Sequence, residues 1–572
     1  MIRYEFFLTS SLEKVFPHIR PAEMKAGSRI SCWRGQKAAV QVVYTAHGGR
    51  PDMTMQRYRV EVLNAPGETL LRSVELMPAG LACYEQNDDN YITKFPGLFP
   101  DLLGNQHPEE ILPLPRQYRS LWLTFRIPED VPAGEYPVTL RLSPVCHMPH
   151  PNGTVFHDPE AEEQVTELSF VLRVCARDLV PQELIHTEWF HTDCLSQYYG
   201  VPVFSEAYWR ITEAFIRSAA SHGVTMLLTP VFTPPLDTPV WTERPTVQLV
   251  DMSCENGQWK FGYEKLERWV EICRRWGIRY VEIPHLFTQW GASATPKIVA
   301  NVDGVEQKCF GWHVPAGSES YRGFLEAFLP DLKKKLQELG FDNDHVWYHI
   351  SDEPSPEHMD AFLTALKQTD GLLDGCHVFD ALTNFDFYQK GLVGTPVVAN
   401  DYIQPFFDAG VKDLWVYYCC VQGQDVPNRF FAMPSARNRI MGVLMYLYNV
   451  QGFLHWGFNF YNSKYSLHTI DPFRTADGDH GYPAGDPFLV YPGADGVPMD
   501  SVRVEVQDEA LLDLRGLRAL ERLTDRSYVE TLIHSVAGMD RITFKSYPKD
   551  AAFLLMLRER VADELESRLE TR

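Results

Sequence analysis

Long hydrophobic runs are missing from this 572-residue sequence. No uninterrupted apolar stretch reaches the roughly 18–20 residues of a membrane span, so no spanning helix is expected. Basic stretches are missing too. A formal charge of −22, with the acids scattered rather than gathered into a tail, argues against a nucleic-acid or anionic-membrane partner. The 11 cysteines are odd in number and widely spread, and no Cys-x-x-Cys pair occurs. That argues against a disulfide scaffold or a zinc site and for a reduced protein with buried thiols. The adjacent Cys419 and Cys420 are read as part of a buried apolar strand, so no redox role is expected for them. The opening MIRYEFFLTSSLEKVFPHIR has no basic n-region, useful apolar core or cleavage site, so the expected location is the cytoplasm. No glycine-rich dinucleotide or phosphate loop follows any predicted strand, and no cofactor is expected.

Aromatic residues, by contrast, are abundant: 13 Trp, 26 Tyr and 33 Phe make up 13% of the chain. They suit large cores and also suit stacking against flat apolar ligand faces. The apolar fraction of 45% and charged fraction of 22% are those of a soluble globular protein. The chain is too long for one ordinary core, so two or more domains are expected.

Two grammars divide the sequence. Residues 1–180 read as an antiparallel β-sandwich. Short alternating runs such as Ala38 to Ala46, Tyr58 to Ala65, Tyr118 to Pro128, Tyr136 to Pro144 and Val165 to Cys175 are separated by Gly, Pro and Asn-Asp breaks. A polar loop from about His147 to Glu163 is expected to be an exposed insertion. Residues 181–572 alternate strand and helix. Eight candidate strands start near Leu184, Val224, Ile278, His345, Cys376, Pro396, Leu414 and Gly452. The intervening helical patterns at Ser205 to Gly223, Tyr263 to Gly277 and Tyr321 to Gly340 each end in glycine, the usual helix stop. Eight such units predict an α/β fold, a TIM-like (β/α)8 barrel, with a doubly wound open sheet as the fallback. The stretch from Asn459 to about Pro498 is rich in Asp, Gly, Pro and aromatics and predicts an ordered wall, followed by C-terminal helices.

The stretch HVWYHISDEPSPEH, His345 to His358, is where the chemistry is expected. Val346, Tyr348 and Ile350 alternate as a buried strand does, Asp352 and Glu353 follow, and Pro354 stops the strand. Ser355-Pro356-Glu357 is a helix start. In a barrel, the junction between a strand and the following helix is where active sites are built. Acid pairs are often only solvated helix-start charges, but other strands also finish in polar or aromatic residues. Glu188, Trp189, His191 and Asp193 follow the first strand, and Asn400, Asp401 and Tyr402 follow the sixth. Tyr417 and Tyr418 close the seventh, and His455, Trp456 and Asn459 the eighth. Such a rim suits a sugar-binding cleft, so an oligosaccharide or glycoconjugate substrate is expected. EWFHTDC (Glu188 to Cys194) has metal-ligating residue types but no second cluster at recognisable spacing, so no metal is expected.

A retaining glycosidase with its own nucleophile separates its carboxyls by about 5–5.5 Å, and an inverting one by about 6.5–9.5 Å. Consecutive residues leave the chain from almost one point and serve opposite faces of a pyranose poorly. They suit a division of labour in which Glu353 protonates the glycosidic oxygen while Asp352 steadies a 2-acetamido arm of the substrate, which attacks the anomeric carbon. This requires Glu353 to hold a proton near neutral pH.

The sequence resembles glycoside hydrolase family 123, the β-N-acetylgalactosaminidases, and the wider domain-of-unknown-function 4091 group. The resemblance rests on SDEP at Ser351 to Pro354, W-x-Y-x-C at Trp415, Tyr417 and Cys419, GFLHWGFN at Gly452 to Asn459, and GDPFLVYPGADG at Gly485 to Gly496 with SVRVEVQDEALLD after it. It implies a retaining exo-β-N-acetylhexosaminidase with a sandwich and a barrel, Asp352 as the acetamido-stabilising acid and Glu353 as the general acid/base. Tyr417 and Trp456 would line the acetamido and sugar subsite. Two alternatives stay open: a glycosidase of the same fold acting on a sugar without the acetamido group, and a non-catalytic carbohydrate-binding barrel.

Overall fold

The structure, a computed structural model, describes residues 3–48, 56–106, 108, 110–145, 147–149, 155–157 and 164–568. The N-terminal part is two packed sheets. Five strands pair in the order Arg3–Ser10, Lys37–His47, Arg119–Arg126, Glu68–Ala79, Gly97–Gln106, all antiparallel. The facing sheet runs Arg29–Trp33, Thr166–Cys175, Gly134–Pro144, Tyr58–Leu63, with one parallel pair between its first two strands. Period-2 patterning explains the packing. Val138, Leu140 and Leu142 point inward and are fully buried, meeting Val40, Val42, Leu121 and Leu123 of the other sheet. Each such side chain stabilises the fold by about 1.5–3 kcal/mol relative to exposure. Within the polar loop, His147–Pro149 and Val155–His157 pair as a short antiparallel ribbon; the rest of that loop lies outside the described residues.

The second part is a closed parallel barrel, not the open sheet held as the fallback. Its strands are β1 (Ile185–Glu188), β2 (Met226–Leu228), β3 (Tyr280–Ile283), β4 (Val346–Tyr348), β5 (His377–Leu382), β6 (Thr395–Ala399), β7 (Trp415–Tyr417) and β8 (Gly452–His455). Each pairs with the next in chain order, and β8 closes onto β1 with Glu188 opposite His455. The interior is filled by Met226, Leu228, Trp347, Phe379, Val397, Trp415 and Leu454. Gly452 is required there, because a Cβ would lie 2.1 Å from the Trp415 ring. Helices Glu206–Ser221, Glu264–Arg275 and Glu319–Glu338 cover the early strands, each followed by a glycine at positive φ. The helices after β5 and β6 have only five residues. A four-stranded sheet absent from the sequence reading (Asp251–Glu255, Gln258–Gly262, Ile298–Val302, Val305–Phe310) is assembled from the connections on either side of β3.

The helix Val502–Glu521 is buried almost all round and locks the two parts together. Arg503 grips Asp101 of the sandwich at 2.8 and 2.9 Å, and Arg72 of the sandwich reaches Glu505 at 2.5 Å. The segment between β8 and this helix is ordered and largely buried, with Tyr491–Pro492 pairing with Pro498–Met499. Among the described residues, no helix is long and apolar enough to cross a membrane.

Candidate active site

The end of β4 is pinned from the neighbouring strand. Asp380 on β5 accepts hydrogen bonds from the Ile350 and Ser351 amides at 3.0 and 3.3 Å, and the Ser351 hydroxyl donates to the Thr288 carbonyl at 2.9 Å. The chain then turns sharply, because Glu353 has φ +46°, a left-handed conformation costing about 1–3 kcal/mol for such a residue. Pro354 follows, then a short 3-10 turn, Pro356–His358, leading into the helix Met359–Thr369. Asp352 and Glu353 therefore leave the barrel together at its C-terminal rim, Asp352 bonded to Gln289 and Glu353 to Tyr417.

Each acid has one neutral donor. Asp352 is 7% exposed, and its Oδ2 accepts from Gln289 Nε2 at 2.7 Å. Glu353, partly exposed, accepts at Oε1 from the Tyr417 hydroxyl at 2.5 Å. Neither forms an ion pair with a described residue. Burial, then the adjacent Glu353 charge, pushes the Asp352 carboxyl far above the usual carboxylate range. Burial also raises Glu353; Tyr417 opposes the rise and the charge of Asp401 adds to it. Two buried like charges on neighbouring residues titrate as a unit, and the pair holds a proton where ordinary carboxylates have lost theirs. Tyr417 is itself held well above its ordinary value by burial and by Glu353, so its hydroxyl stays a donor.

Below the pair lies a charged layer inside the barrel. Glu282 on β3 accepts from Trp189 Nε1 and His349 Nε2, both at 2.7 Å, and from the Thr187 hydroxyl. His349 also faces Asp380 at 3.4 Å. Burial disfavours charge on His349, yet hydrogen bonds to Asp380 and Glu282 outweigh it and hold the imidazolium up to about 9. His285 stacks on His349 at 4.1 Å and is kept neutral by burial and by that charge. The layer thus sets the His349 imidazolium, itself paired with Glu282 and Asp380, close enough to act on Asp352.

The model of the glycoside hydrolase 123 catalytic domain matches residues 189–520, more than half of the chain and inclusive of every barrel strand from β2 to β8. The chain belongs to glycoside hydrolase family 123. Its chemistry is hydrolysis of glycosidic bonds, and its substrates are glycans. A family 123 glycoside hydrolase from Clostridium perfringens, described by its structure as an enzyme of glycolipid glycan hydrolysis, has the same fold. It is 13% identical, with a TM-score of 0.74, and the match covers 100% of this chain and 99% of that one. A putative β-galactosidase from Bacteroides fragilis aligns at 10% identity over 88% of this chain and 62% of that one, with a TM-score of 0.30. No curated protein matches.

The other candidate residues of this family 123 chain differ in their surroundings. Two act on the acid pair, Tyr417 through its hydroxyl and Asp401 through its charge on Glu353; Trp456 is a partly exposed ring packed on Tyr482 at 5.0 Å. Trp456 Nε1 donates to Asp486 at 2.8 Å. Tyr402 is 50% exposed, its ring near Lys545.

The remaining six are buried, with polar atoms taken up by other groups of the protein. Glu188 is wholly buried, gripped by both Arg429 nitrogens at 2.7 and 2.9 Å and by Gln507. Although burial favours its neutral form, Arg429 and His186 keep it ionised far below the usual range. His455 accepts at Nδ1 from Arg429 at 2.7 Å, and Trp189 donates to Glu282 as above. Asp193 is held at both oxygens by Arg244, each at 2.7 Å. The ring of His191 donates to the Trp456 carbonyl, and Asn459 bonds the His191 backbone from both ends of its amide. Cys419 and Cys420 lie just past the end of β7, in a turn, rather than within the strand; the Cys419 amide donates to Gln422 at 2.9 Å. Among the described residues, no group of three or more His, Cys, Asp or Glu is arranged to hold a metal.

Sequence reasoning missed Gln289, Glu282, Asp380, His349, Asp237 and Tyr482. Glu282 and His349 were inside predicted strands, and a charged residue within an apolar strand was the available signal. Nothing local distinguishes Gln289 or Asp237.

Proposed function

We propose that this family 123 chain is a retaining exo-β-N-acetylhexosaminidase, favouring N-acetylgalactosamine and working by substrate assistance. The observation that carries this reading is the pair itself: two consecutive carboxylates at one rim position, free of cations, one on a phenol and the other with an oxygen left unbonded. Protonated Glu353 gives its proton to the glycosidic oxygen as that bond to C1 breaks. The acetamido carbonyl oxygen of the same sugar forms the new bond to C1, giving an oxazolinium ion. Asp352, as the carboxylate, accepts the acetamido N–H and balances the developing positive charge. Glu353, now ionised, takes a proton from water, whose oxygen attacks C1 and reopens the ring. Two inversions give net retention. Tyr417 orients Glu353, and Trp456 offers a flat wall for the sugar. A glycan carried on a lipid or protein is the proposed substrate class, consistent with the glycolipid glycan hydrolysis attributed to the C. perfringens relative.

The test compares chromogenic β-GalNAc, β-GlcNAc and β-galactosides, with the product anomer followed by NMR and a GalNAc-thiazoline as inhibitor. Turnover of the acetamido sugars with retention and tight thiazoline inhibition is expected. Hydrolysis of the plain galactoside with indifference to the thiazoline would support a same-fold glycosidase for a sugar lacking the arm. Affinity without turnover would support a binding protein.

A further inference from the structure

We propose that Gln289 is the positioning residue of Asp352, fixing which of its oxygens receives the substrate's N–H. This rests on the reading of Asp352 given above. Gln289 stands in the loop after β3 and is hydrogen-bonded at both ends. Its Oε1 accepts from the Asp237 backbone amide, and its Nε2 donates to Asp352 Oδ2 at 2.7 Å. A backbone N–H only donates, so the atom facing Asp237 must be the oxygen and the atom facing Asp352 the nitrogen. The amide has no freedom to flip.

Asp237 is itself anchored from the segment beyond β8. Its Oδ1 accepts from the Tyr482 hydroxyl at 2.7 Å, and its Oδ2 from the Ser466 amide and hydroxyl at 3.0 and 3.4 Å. It sits at φ +46°, a conformation that those bonds hold in place. Tyr482 packs at 5.0 Å on Trp456, the proposed sugar wall. One chain of contacts therefore links the wall to the acid: Trp456, Tyr482, Asp237, Gln289, Asp352.

The consequence for Asp352 is asymmetric. Oδ2 is occupied, whereas Oδ1 has no hydrogen-bond partner among the described residues, leaving one acceptor for one donor. A 2-acetamido group brings a single N–H. Gln289 also favours the carboxylate form, because its amide donates to the anion and draws the Asp352 pKa down against burial and the Glu353 charge. A site without that donor would keep Asp352 protonated to higher pH, and a protonated Asp352 cannot balance an oxazolinium ion.

The test uses Q289M, which keeps the volume and removes the donor, and Y482F, which loosens the anchor from a distance. For Q289M, kcat on a chromogenic N-acetylhexosaminide should fall on the order of tenfold to a hundredfold. KM should stay near wild type, and the acidic limb of the rate profile should move to higher pH. Y482F should move the same limb the same way by less, and it decides the matter should Q289M fail to fold. An unmoved acidic limb in both, or a rise in KM with kcat intact, would overturn the proposal. Infrared titration of the Asp352 carboxyl, identified by difference against D352N, needs no turnover. If wild type hydrolyses no acetamido sugar but this titration moves in Q289M, the functional reading fails and the positioning role stands. If hydrolysis is present and neither titration nor limb moves, the positioning role fails alone.

Discussion

Two sets of carboxylates stand at the ends of barrel strands, and the barrel treats them in opposite ways. Glu188 at the end of β1, and Asp193 just beyond it, are each clamped by a buried guanidinium, Arg429 and Arg244. Asp352 and Glu353, beyond β4, have only an amide and a phenol. The first set has its charge balanced and its oxygens occupied. The second has no bonded guanidinium and holds a proton, because burial without a direct ion pair raises a carboxyl pKa. Position in the fold is the same; what differs is whether a guanidinium is bonded to the acid.

The sharpest way to break this comparison is to neutralise one acid from each set. E353Q is expected to lower kcat by about 10²–10⁴-fold, the range for losing a general acid, with a melting temperature equal to or above wild type. A comparable loss of melting temperature would return Glu353 to the scaffold. R429M should do the reverse, stranding the buried Glu188 charge at about 3–5 kcal/mol of stability. Urea denaturation measures that loss, and whatever R429M folds should retain its kcat.

A subtler contrast lies in pH. The folded pKa values of the acid pair are raised, so the folded chain holds protons that the unfolded chain releases at ordinary carboxylate pH. The pair's contribution is fully present below the unfolded value and is lost as pH rises through the folded one. Glu188 is depressed, so its contribution is present above the unfolded value and is lost only as pH falls toward its folded one. D352N should therefore flatten the decline of stability between about pH 4 and 8 that ionisation of a raised carboxyl causes. Stability measured by urea at several pH values checks this, and a wild-type slope in D352N would refute it. The smallest expected effect is that of Y417F. Removing the donor leaves the Glu353 anion less favoured, so the alkaline limb of kcat should shift upward while the acidic limb stays in place. A rate profile unchanged on both limbs would mean that Tyr417 does not tune the acid.

Much of the fold was legible because the signals were local. Eight apolar runs, three glycine stops and period-2 alternation in the sandwich report on hydrogen bonding and burial within a few residues. The four-stranded sheet around β3 was not legible, since Val305–Phe310 is largely exposed with little apolar patterning and Gln258–Gly262 is short, with only Trp259 and Phe261 turned to the core. At the site, SDEP stood out because a strand, an acid pair and a proline are neighbours in the chain. Glu188, His455 and Asn459 looked equally suitable and are wholly buried, bonded to other groups of the protein. Their fate depended on Arg429 and His191, which lie 241, 26 and 268 residues away from them in sequence.

The amino-acid order by itself determined a sandwich leading into an eight-stranded barrel, and one acid pair where a strand gives way to a helix. Only the tertiary structure decided which carboxylates meet a guanidinium, which amide holds Asp352, and that a residue as remote as Tyr482 supports it. The reason is physical. Hydrogen-bonding pattern and side-chain periodicity act between near neighbours, whereas the charge state of a buried acid is set by whatever the closed barrel brings within about 3 Å of it.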